Sequence, residues 1–430
     1  METQNSNQNQ KLKIMQIAPF AFPVGNTARY GGIEQVINDL DGQLIKTGHE
    51  SFVVATADSR IRGKLLPSFE RGLWIEEEDK SQGWKYKKEK FDYDQKLEEH
   101  SKRALEYIRE IKPEVIHDHF GFIKSKVFKA VEKELPPILY TLHDPIDSKS
   151  KRRLQRIKEI NPKKIFFNAI SYSQKRFFED FVSIDYMVYN AIPISEYSYS
   201  SKGEGFVFHL GLLNKPKGTD IALDVAKEIG KKIIIAGPIL TGRVHEKKHE
   251  NRQGAVGGFW EDEIKPRLDL IIKEEISPSE IDSFIGDFMN SKYNSVYIGE
   301  LNKDQKREWY RRAEAFYFPI RREEPFGLVM IESMACGTPV IAYGKGAIPE
   351  VVVDGKTGYV VKPDFNGPDG DVTGHHLEIT KNGFDAFVDA ASKVDDISRR
   401  SCRKHVENCF TIERQTKDYL NVYKDMIYKT

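Results

Sequence analysis

Two glutamates eight positions apart are the strongest chemical signal in this sequence. Glu324 and Glu332 lie in the segment RREEPFGLVMIESMACG, which follows an apolar run and has the composition of a helix. Pro325 suits the first turn of that helix, and Gly337 suits the residue just after its end. Along a helix, eight residues at 1.5 Å each would separate the two carboxylates by roughly 12 Å, which is about two turns.

A nucleotide-sugar is a chemical match for this spacing, because it carries hydroxyl groups on its sugar and on its ribose with a diphosphate between them. Carboxylates accept hydrogen bonds from hydroxyls, and a helix N-terminus offers unpaired N–H groups and a partial positive charge to phosphate. The same spacing also fits a helix with one capping carboxylate and one exposed glutamate. Spacing alone leaves both interpretations open.

Length and charge restrict the class of protein. With 430 residues, the chain is long enough for two domains of about 200 residues each. The formal net charge of +1 argues against a nucleic-acid binder, because such proteins usually carry a strong basic excess. The three cysteines make neither a disulfide framework nor a metal-binding set, so we expect a reducing, cytoplasmic environment.

Membrane and targeting signals are weak. The sequence has no run of about 18 apolar residues, and its polar start lacks the hydrophobic stretch of a signal peptide. We expect residues 1–11 to form a disordered tail. The basic segment at 148–160 fits either a solvated helix or a face for anionic lipid, so peripheral contact with the inner membrane face stays open.

The N-terminal half alternates apolar runs with amphipathic segments. Strands are predicted at 12–18, 51–57, 115–117 and 138–142. Between the first two strands, a loop with Gly31 and Gly32 leads into a helix whose apolar residues fall on one face. This alternation predicts a doubly wound parallel sheet.

The alternation restarts after a linker at 190–205 that is rich in Ser, Tyr and Gly. Strands are predicted at FVFHLG, KKIIIAGP, SVYIGE, AFYFPI and PVIAYG, and an irregular insertion is expected at 241–294. We therefore predict an α/β protein with two Rossmann-like domains, at 12–195 and 196–408, that face each other across a cleft. A C-terminal helix at 409–430 is expected to cross back to the first domain.

Several segments, in order along the chain, resemble glycosyltransferase family 4. The two glutamates match its E-x7-E signature, and the stretch from IRREEPFG to GKTGYVV resembles its donor-binding half. YGGIEQVINDLDGQLIKTGHE resembles its N-terminal glycine loop and first helix, while PEVIHDHFG, LYTLHD, AISYSQ and VYNAIP resemble its intermediate landmarks. The resemblance implies the GT-B fold, retention of anomeric configuration, and no metal requirement.

The resemblance also implies roles for individual residues. Glu324 would contact hydroxyls of the donor sugar, Glu332 would hold the ribose, and Lys217 would neutralise the diphosphate. His143 would lie beside the donor sugar, although it also fits a hydrogen-bonded histidine at a strand end. The remaining donor contacts would come from the close-approaching glycines Gly31 and Gly32 and from the backbone N–H groups of Phe326, Gly327, Leu328 and Val329.

One position departs from the family pattern. Leu212 stands where the family usually has an arginine that clamps the diphosphate. Loss of a guanidinium removes a bidentate phosphate partner that lysine does not fully replace. The cations that could take over this role are Lys215, Arg243, Arg321 and Arg322.

Together these features predict a retaining, metal-independent glycosyltransferase with no cofactor beyond its co-substrate. It would move a hexose-type sugar from a UDP-, GDP- or ADP-sugar to a hydroxyl of a carbohydrate, lipid-linked or small-molecule acceptor. Front-face attack and double displacement both stay open, and the first is favoured because no carboxylate stands out as a nucleophile. The alternatives are a catalytically silent sugar-nucleotide-binding subunit and a GT-B epimerase or phosphorylase.

Two further motifs suggest metal sites only weakly. The H-E-x-x-H pattern at 245–249 matches that of zinc proteases but has polar flanks. His117-Asp118-His119 lies at a strand end, where lining the cleft or capping a loop is the better interpretation. Neither motif changes the prediction.

Overall fold

The computed structural model describes residues 11–25, 31–77, 85–88, 92–131, 133–143, 154, 163–239, 258–272, 274–368 and 371–430. Several predictions lie outside these ranges: the tail up to residue 10, the H-E-x-x-H motif, Arg243, and the basic segment apart from Leu154. None of the helices in the described ranges combines the length and apolar composition needed to cross a membrane.

The strands, in chain order, are β1 Lys13–Ile17, β2 Glu50–Thr56, β3 Lys64–Phe69, β4 Trp74–Glu77, β5 Lys85–Lys88, β6 Val115–Asp118, β7 Ile138–Thr141, β8 Ile165–Ala169, β9 Tyr186–Met187, β10 Phe206–Leu210, β11 Lys232–Ala236, β12 Leu270–Ile271, β13 Ser295–Tyr297, β14 Ala315–Phe318, β15 Val340–Tyr343, β16 Gly358–Val361, β17 Phe365–Asn366 and β18 Glu378–Ile379. The α-helices are α1 Gly32–Lys46, α2 Tyr93–Ile111, α3 Lys126–Val131, α4 Tyr172–Glu179, α5 Thr219–Glu228, α6 Ile281–Asn290, α7 Lys303–Arg312, α8 Leu328–Ala335, α9 Ile348–Val351, α10 Lys381–Ser392, α11 Arg399–Cys409 and α12 Ile412–Lys429.

Two separate seven-stranded sheets confirm the predicted architecture. The first has the order β3-β2-β1-β6-β7-β8-β9 and the second the order β12-β13-β11-β10-β14-β15-β16, and neighbouring strands run parallel throughout both. Pairs β4–β5 and β17–β18 form small antiparallel ribbons. In both sheets the strand order reverses beside the first strand, where parallel α/β sheets open a crevice at the strand carboxyl ends.

The continuous apolar runs become buried strands because helices cover both faces of each sheet. In β1, Ile14 and Ile17 are fully buried on opposite faces, and β10 is buried along its whole length. The core of the second domain includes Phe208, Phe316 and Met330. Burial of this kind contributes roughly 1.5–3 kcal/mol per large apolar side chain and holds the strand ends in fixed positions.

Helix α12 lies against the first sheet. Its Tyr419, Tyr423 and Met426 pack with Leu12, Ile14, Val115 and Leu139. The phenol oxygen of Tyr423 lies 2.7 Å from Nδ1 of His117. The chain therefore leaves the second sheet and ends on the first.

The segment at 241–294 is more regular than predicted. Beyond residue 257 it forms a π-helical turn, the edge strand β12, and helix α6. Ile281, Ile285 and Phe288 on α6 are buried in the core of the second domain. The charged and Gly-containing first part of this insertion led to the wrong expectation for its second part, where apolar residues recur at helical spacing.

Candidate functional site

A cavity of about 170 Å³ lies between the two domains, at the carboxyl ends of their strands. The first domain contributes Gly31, Gly32 and Gln35 from the start of α1. The residues that the second domain contributes include Gly211, Leu212, Lys303, Lys306, Leu328, Val329 and Glu332. The structure therefore brings the predicted glycine loop and part of the predicted donor-binding segment together around one space.

The glycine loop approaches the second domain closely. Gly31 has φ 135°, a backbone conformation that favours glycine, and a Cβ atom there would also lie 2.5 Å from the movable Glu34 carboxylate. A Cβ on Gly32 would lie 3.7 Å from Cδ1 of Leu328. The approach of Gly32 to Leu328 places the N-terminus of α1 beside that of α8.

The prediction that Pro325 lies in the first turn of the helix, with Glu324 at its entrance, was wrong. Helix α8 begins at Leu328, after Gly327, whose φ of 84° is outside the helical range. The carbonyl of Glu324 accepts a hydrogen bond from Ala347 N–H at 2.8 Å, and this tertiary contact holds the segment in a loop. The estimate of two helical turns between Glu324 and Glu332 therefore does not apply, although Gly337, with φ 94°, does follow the helix end.

A close approach of glycine fixes the Glu324 loop. Gly346 has φ 60°, and a Cβ atom there would lie 2.3 Å from the Glu324 carbonyl oxygen. The Gly346 N–H also donates to the Glu323 carboxylate at 2.6 Å. The loop after β15 thus positions Glu324 through Gly346. The sequence alone did not reveal this contact.

Glu324 and Lys217 form a buried ion pair. Nζ of Lys217 lies 3.0 Å from Oε2 of Glu324, and Nη2 of Arg322 lies 3.3 Å from the same oxygen. Burial alone would raise the pKa of Glu324, but the two cations hold that pKa below its ordinary value. Burial, together with Arg322, lowers the pKa of Lys217 to about 8.

Neither member of this pair is among the described residues that line the cavity, but Lys217 runs beside it. A Cβ on Gly211, which does line the cavity, would lie 3.7 Å from Cγ of Lys217. A Cβ on Gly327, the residue before the cavity-lining Leu328, would lie 3.4 Å from Cγ of Glu324. The ion pair therefore borders the cavity on the side of the β10–α5 loop.

Glu332 is buried in a polar cluster that joins the two domains. Its Oε1 accepts hydrogen bonds from Lys306 Nζ at 2.6 Å, Gln35 Nε2 at 3.0 Å and Tyr197 OH at 3.2 Å. Burial would raise the pKa of Glu332, but Lys306 keeps it below its ordinary value. Glu332 is therefore an ionised carboxylate on the cavity wall.

The first turn of α8 lies at the cavity. The first four N–H groups of a helix have no partner within the helix and carry its partial positive charge. Leu328 and Val329 belong to this first turn and line the cavity, whereas the Phe326 side chain is buried against Tyr189 and Phe410. Of the predicted backbone donors, these two thus lie at the cavity.

His143 lies at the end of β7 in a buried histidine cluster. Its Nε2 is 3.0 Å from Nδ1 of His119, and Nε2 of His119 is 3.2 Å from Oε1 of Gln16. Burial lowers the pKa of His143 to about 3, so the ring is neutral at physiological pH. Both hydrogen bonds lie within the first domain. Because its ring is neutral, His143 can exchange hydrogen bonds but does not carry a positive charge.

The central residue of the His117-Asp118-His119 motif caps a loop. Its carboxylate accepts hydrogen bonds from the N–H groups of Phe120, Gly121 and Ile123 at 2.9 to 3.0 Å and so caps the loop after β6. Within the described part of the chain, no three His, Cys, Asp or Glu side chains are grouped in a way that could hold a metal ion.

The substitutes proposed for the missing arginine are mostly engaged elsewhere. Arg321 is 1% exposed and forms a bidentate pair with Asp220 at 2.8 and 2.6 Å, so it cannot reach a phosphate. Lys215 pairs with Glu378. Arg322 lies at Glu324, and Leu212 itself lines the cavity.

Sequence reasoning missed the cations that do line the cavity. Lys303 and Lys306 lie one turn apart on α7, and Nζ of Lys303 lies 3.0 Å from Oδ1 of Asp39 on α1. Only the capping signal of Asn302 marked the start of this helix. Nothing in the local sequence distinguishes these two lysines from the many exposed ones.

Comparison with solved structures identifies the fold. Sucrose-phosphate synthase from Thermosynechococcus elongatus superposes with a TM-score of 0.67 at 15% identity, covering 98% of this chain and 100% of that one. Anabaena HepE in complex with UDP and glucose superposes with a TM-score of 0.61 at 16% identity, covering 96% and 99%. Together with the two parallel sheets, these likenesses establish the GT-B fold.

Sequence comparison narrows the class further. Residues 289–367 match the family described as Glycosyl transferases group 1. An uncharacterized glycosyltransferase of Methanocaldococcus jannaschii is 25% identical over 275 residues, which is 63% of this chain and 66% of that protein. The chain thus spans less than two thirds of the length of the curated relatives it matches. These matches support a glycosyltransferase of GT-B fold.

Proposed function

We propose that this protein is a retaining glycosyltransferase that moves a hexose-type sugar from a UDP-, GDP- or ADP-sugar to an acceptor hydroxyl. The observation that carries the proposal is the cavity between Gly31–Gly32 and the first turn of α8, with Glu332 on its wall and the Lys217–Glu324 pair at its border. A diphosphate, a ribose and a sugar each find a matching group there. The match to the Glycosyl transferases group 1 family and the UDP and glucose of Anabaena HepE support the same donor class.

Binding of the donor would follow from the charges on the cavity wall. The ionised carboxylate of Glu332 would accept hydrogen bonds from the ribose hydroxyls. The N–H groups of Leu328 and Val329 would donate to the diphosphate, and Lys217 would supply a positive charge to it. Gly31 and Gly32 would let the backbone of the first domain approach the phosphates without obstruction.

The reaction would break the bond between the anomeric carbon and the phosphate oxygen, and that oxygen would keep the electron pair. An acceptor hydroxyl would attack from the same face, and its proton would pass to the departing phosphate oxygen. Lys217 and the α8 dipole would stabilise the departing diphosphate, while Glu324 would hold the sugar hydroxyls. Because Lys217 and the helix supply this stabilisation, we propose that turnover requires no metal ion.

The two domains would bind different substrates. Residues 12–195 would form the acceptor side and residues 196–408 the donor side, with residues 409–430 tying the end of the chain to the first domain. Neutral His143 would exchange a hydrogen bond with a sugar hydroxyl rather than transfer a proton. The acceptor would be a carbohydrate, a lipid-linked compound or a small molecule, and we expect a cytoplasmic location because of the three unpaired cysteines.

The test is a two-step assay on the full chain. First, thermal shifts with a panel of UDP-, GDP- and ADP-sugars identify the donor. Second, release of the nucleoside diphosphate is followed with and without candidate acceptors, with Glu324→Gln as the inactive control. If no nucleotide-sugar shifts the melting temperature, the proposal is wrong.

Leu212 is the reason to test two alternative functions, because the proposed diphosphate site lacks the arginine that the family usually has at this position. A catalytically silent sugar-nucleotide-binding subunit would show a thermal shift but no release of diphosphate with any acceptor. An epimerase or phosphorylase would instead convert the donor without glycosylating an acceptor. The second step of the assay separates these outcomes.

A further inference from the structure

We infer that Lys306 supplies the second positive charge to the donor diphosphate, in place of an arginine at position 212. This inference rests on the proposed function, because it concerns the same nucleotide site. A diphosphate group carries at least two negative charges, whereas Lys217, which is itself paired with Glu324, supplies one full positive charge beside the partial charge of the α8 N-terminus. The inference assigns a phosphate-binding role to a residue of α7.

The position of Lys306 places its ammonium at the nucleotide site. Lys306 and Leu212 line the same cavity. Nζ of Lys306 lies 2.6 Å from Oε1 of Glu332 and 3.1 Å from Oε1 of Gln35. In a bound nucleotide, only the ribose ring and its exocyclic carbon separate the ribose hydroxyls from the first phosphate, so a cation beside the ribose-binding carboxylate lies close to that phosphate.

Ligand binding would free Lys306 to make this contact. Ribose hydroxyls that donate to Glu332 would reduce the negative charge that its carboxylate offers to Lys306, whose contact is to Oε1. The lysine side chain has a flexible four-carbon stem and can turn to a new acceptor while staying near its first one. The ion pair with Lys306 keeps Glu332 from being a buried carboxylate without a counter-charge, which would be strongly destabilising.

The neighbouring cations are less suited to this task. Lys303 is held by two carboxylates, at 3.0 Å from Asp39 and 3.0 Å from Glu196, and its side chain is only 8% exposed. Arg321 and Lys215 are paired with Asp220 and Glu378. Arg322 lies at Glu324, next to Lys217 rather than on the Glu332 side of the cavity.

The test compares nucleoside and nucleoside diphosphate binding in Lys306→Met. Calorimetry on the full chain would measure uridine, guanosine and adenosine against UDP, GDP and ADP, and the ratio of the two affinities isolates the diphosphate. We expect this ratio to fall by on the order of tenfold or more. Lys306→Arg should largely keep it, and Lys231→Met, which removes a lysine paired with Glu314, should leave it unchanged.

A second substitution makes the test sharper. If Lys306 replaces the missing arginine, adding Leu212→Arg to Lys306→Met should restore most of the lost diphosphate affinity. Thermal denaturation of each variant confirms that it is folded before its affinity is compared.

Three results, in each of which Lys306→Met leaves the ratio unchanged, would overturn the inference. In the first, nucleoside and diphosphate affinities fall together, which would mean that Lys306 acts only by holding Glu332. In the second, neither affinity changes in Lys306→Met or in Arg322→Met. In the third, neither affinity changes in Lys306→Met but Arg322→Met lowers the ratio, which would assign the role to Arg322. If the unmodified protein binds none of these nucleotides, the proposed function itself fails, and that outcome is distinct from these three.

Discussion

Raising the pH from 7 to 9 should weaken binding of the nucleoside diphosphate about tenfold, because Lys217 loses its proton in this range. Burial lowers the pKa of Lys217 from 10.5 to about 8. The apparent dissociation constant grows as 1 + 10^(pH − pKa), which is about 1.1 at pH 7 and about 11 at pH 9, a difference of ~1.4 kcal/mol. The effect is measurable because the lysine is charged at pH 7 and mostly neutral at pH 9.

Unfolding at high pH cannot produce the same trend through this group. The pKa of Lys217 is lower in the folded protein than in the unfolded chain, so the unfolded chain binds more protons between about pH 8 and 10.5. Stability from this group therefore rises with pH over that window, while ligand affinity falls. The two effects have opposite signs and can be told apart.

The assay is calorimetric titration with the nucleoside diphosphate of the identified donor, which measures its dissociation constant at half-unit pH steps. Lys217→Arg is the matched control. A guanidinium stays charged throughout this range, so the control should show only the ionisation of the ligand itself. If the two proteins show the same pH dependence, Lys217 does not bind the diphosphate and the placement of the nucleotide is wrong.

Three further predictions concern catalysis and stability. Glu324→Gln should lower kcat by on the order of 10²-fold, because this carboxylate would face the reacting sugar, whereas Glu332→Ala should chiefly raise the donor KM; steady-state kinetics showing the reverse would exchange the two roles. Turnover should survive EDTA, and a tenfold loss that Mg²⁺ or Mn²⁺ restores would contradict metal independence. Arg321→Met should destabilise the protein by about 3 kcal/mol, because it leaves the Asp220 carboxylate without its bidentate partner, while the nucleotide affinity of the folded protein stays the same; a denaturant titration combined with calorimetry checks both parts.

Local patterns in the sequence were enough to predict the framework. Apolar runs of four to seven residues became the buried strands of two parallel sheets, because a strand covered on both faces needs apolar residues at nearly every position. Gly337 was predicted correctly as the glycine that follows a helix end, since positive φ favours a residue without a Cβ atom. These features depend on neighbours in the chain, which a sequence displays directly.

The tertiary structure decided how the candidate site is assembled. The start of α8 was predicted too early because the backbone of Glu324 is held by Ala347, a contact that no local propensity reveals. Arg321 was a candidate phosphate ligand by sequence position, but its partner Asp220 is 101 residues away.

The contacts at the cavity show most clearly what local sequence cannot predict. Lys306 meets Gln35 across 271 residues, and Gln35 meets Glu332 across 297. Such contacts arise only when the two domains bring α1 and α7 together, and the charge of a lysine in the sequence does not say which carboxylate it will face. The sequence by itself therefore determined the fold and the candidate chemical groups, and the packing of the two domains decided which of those groups share the cavity.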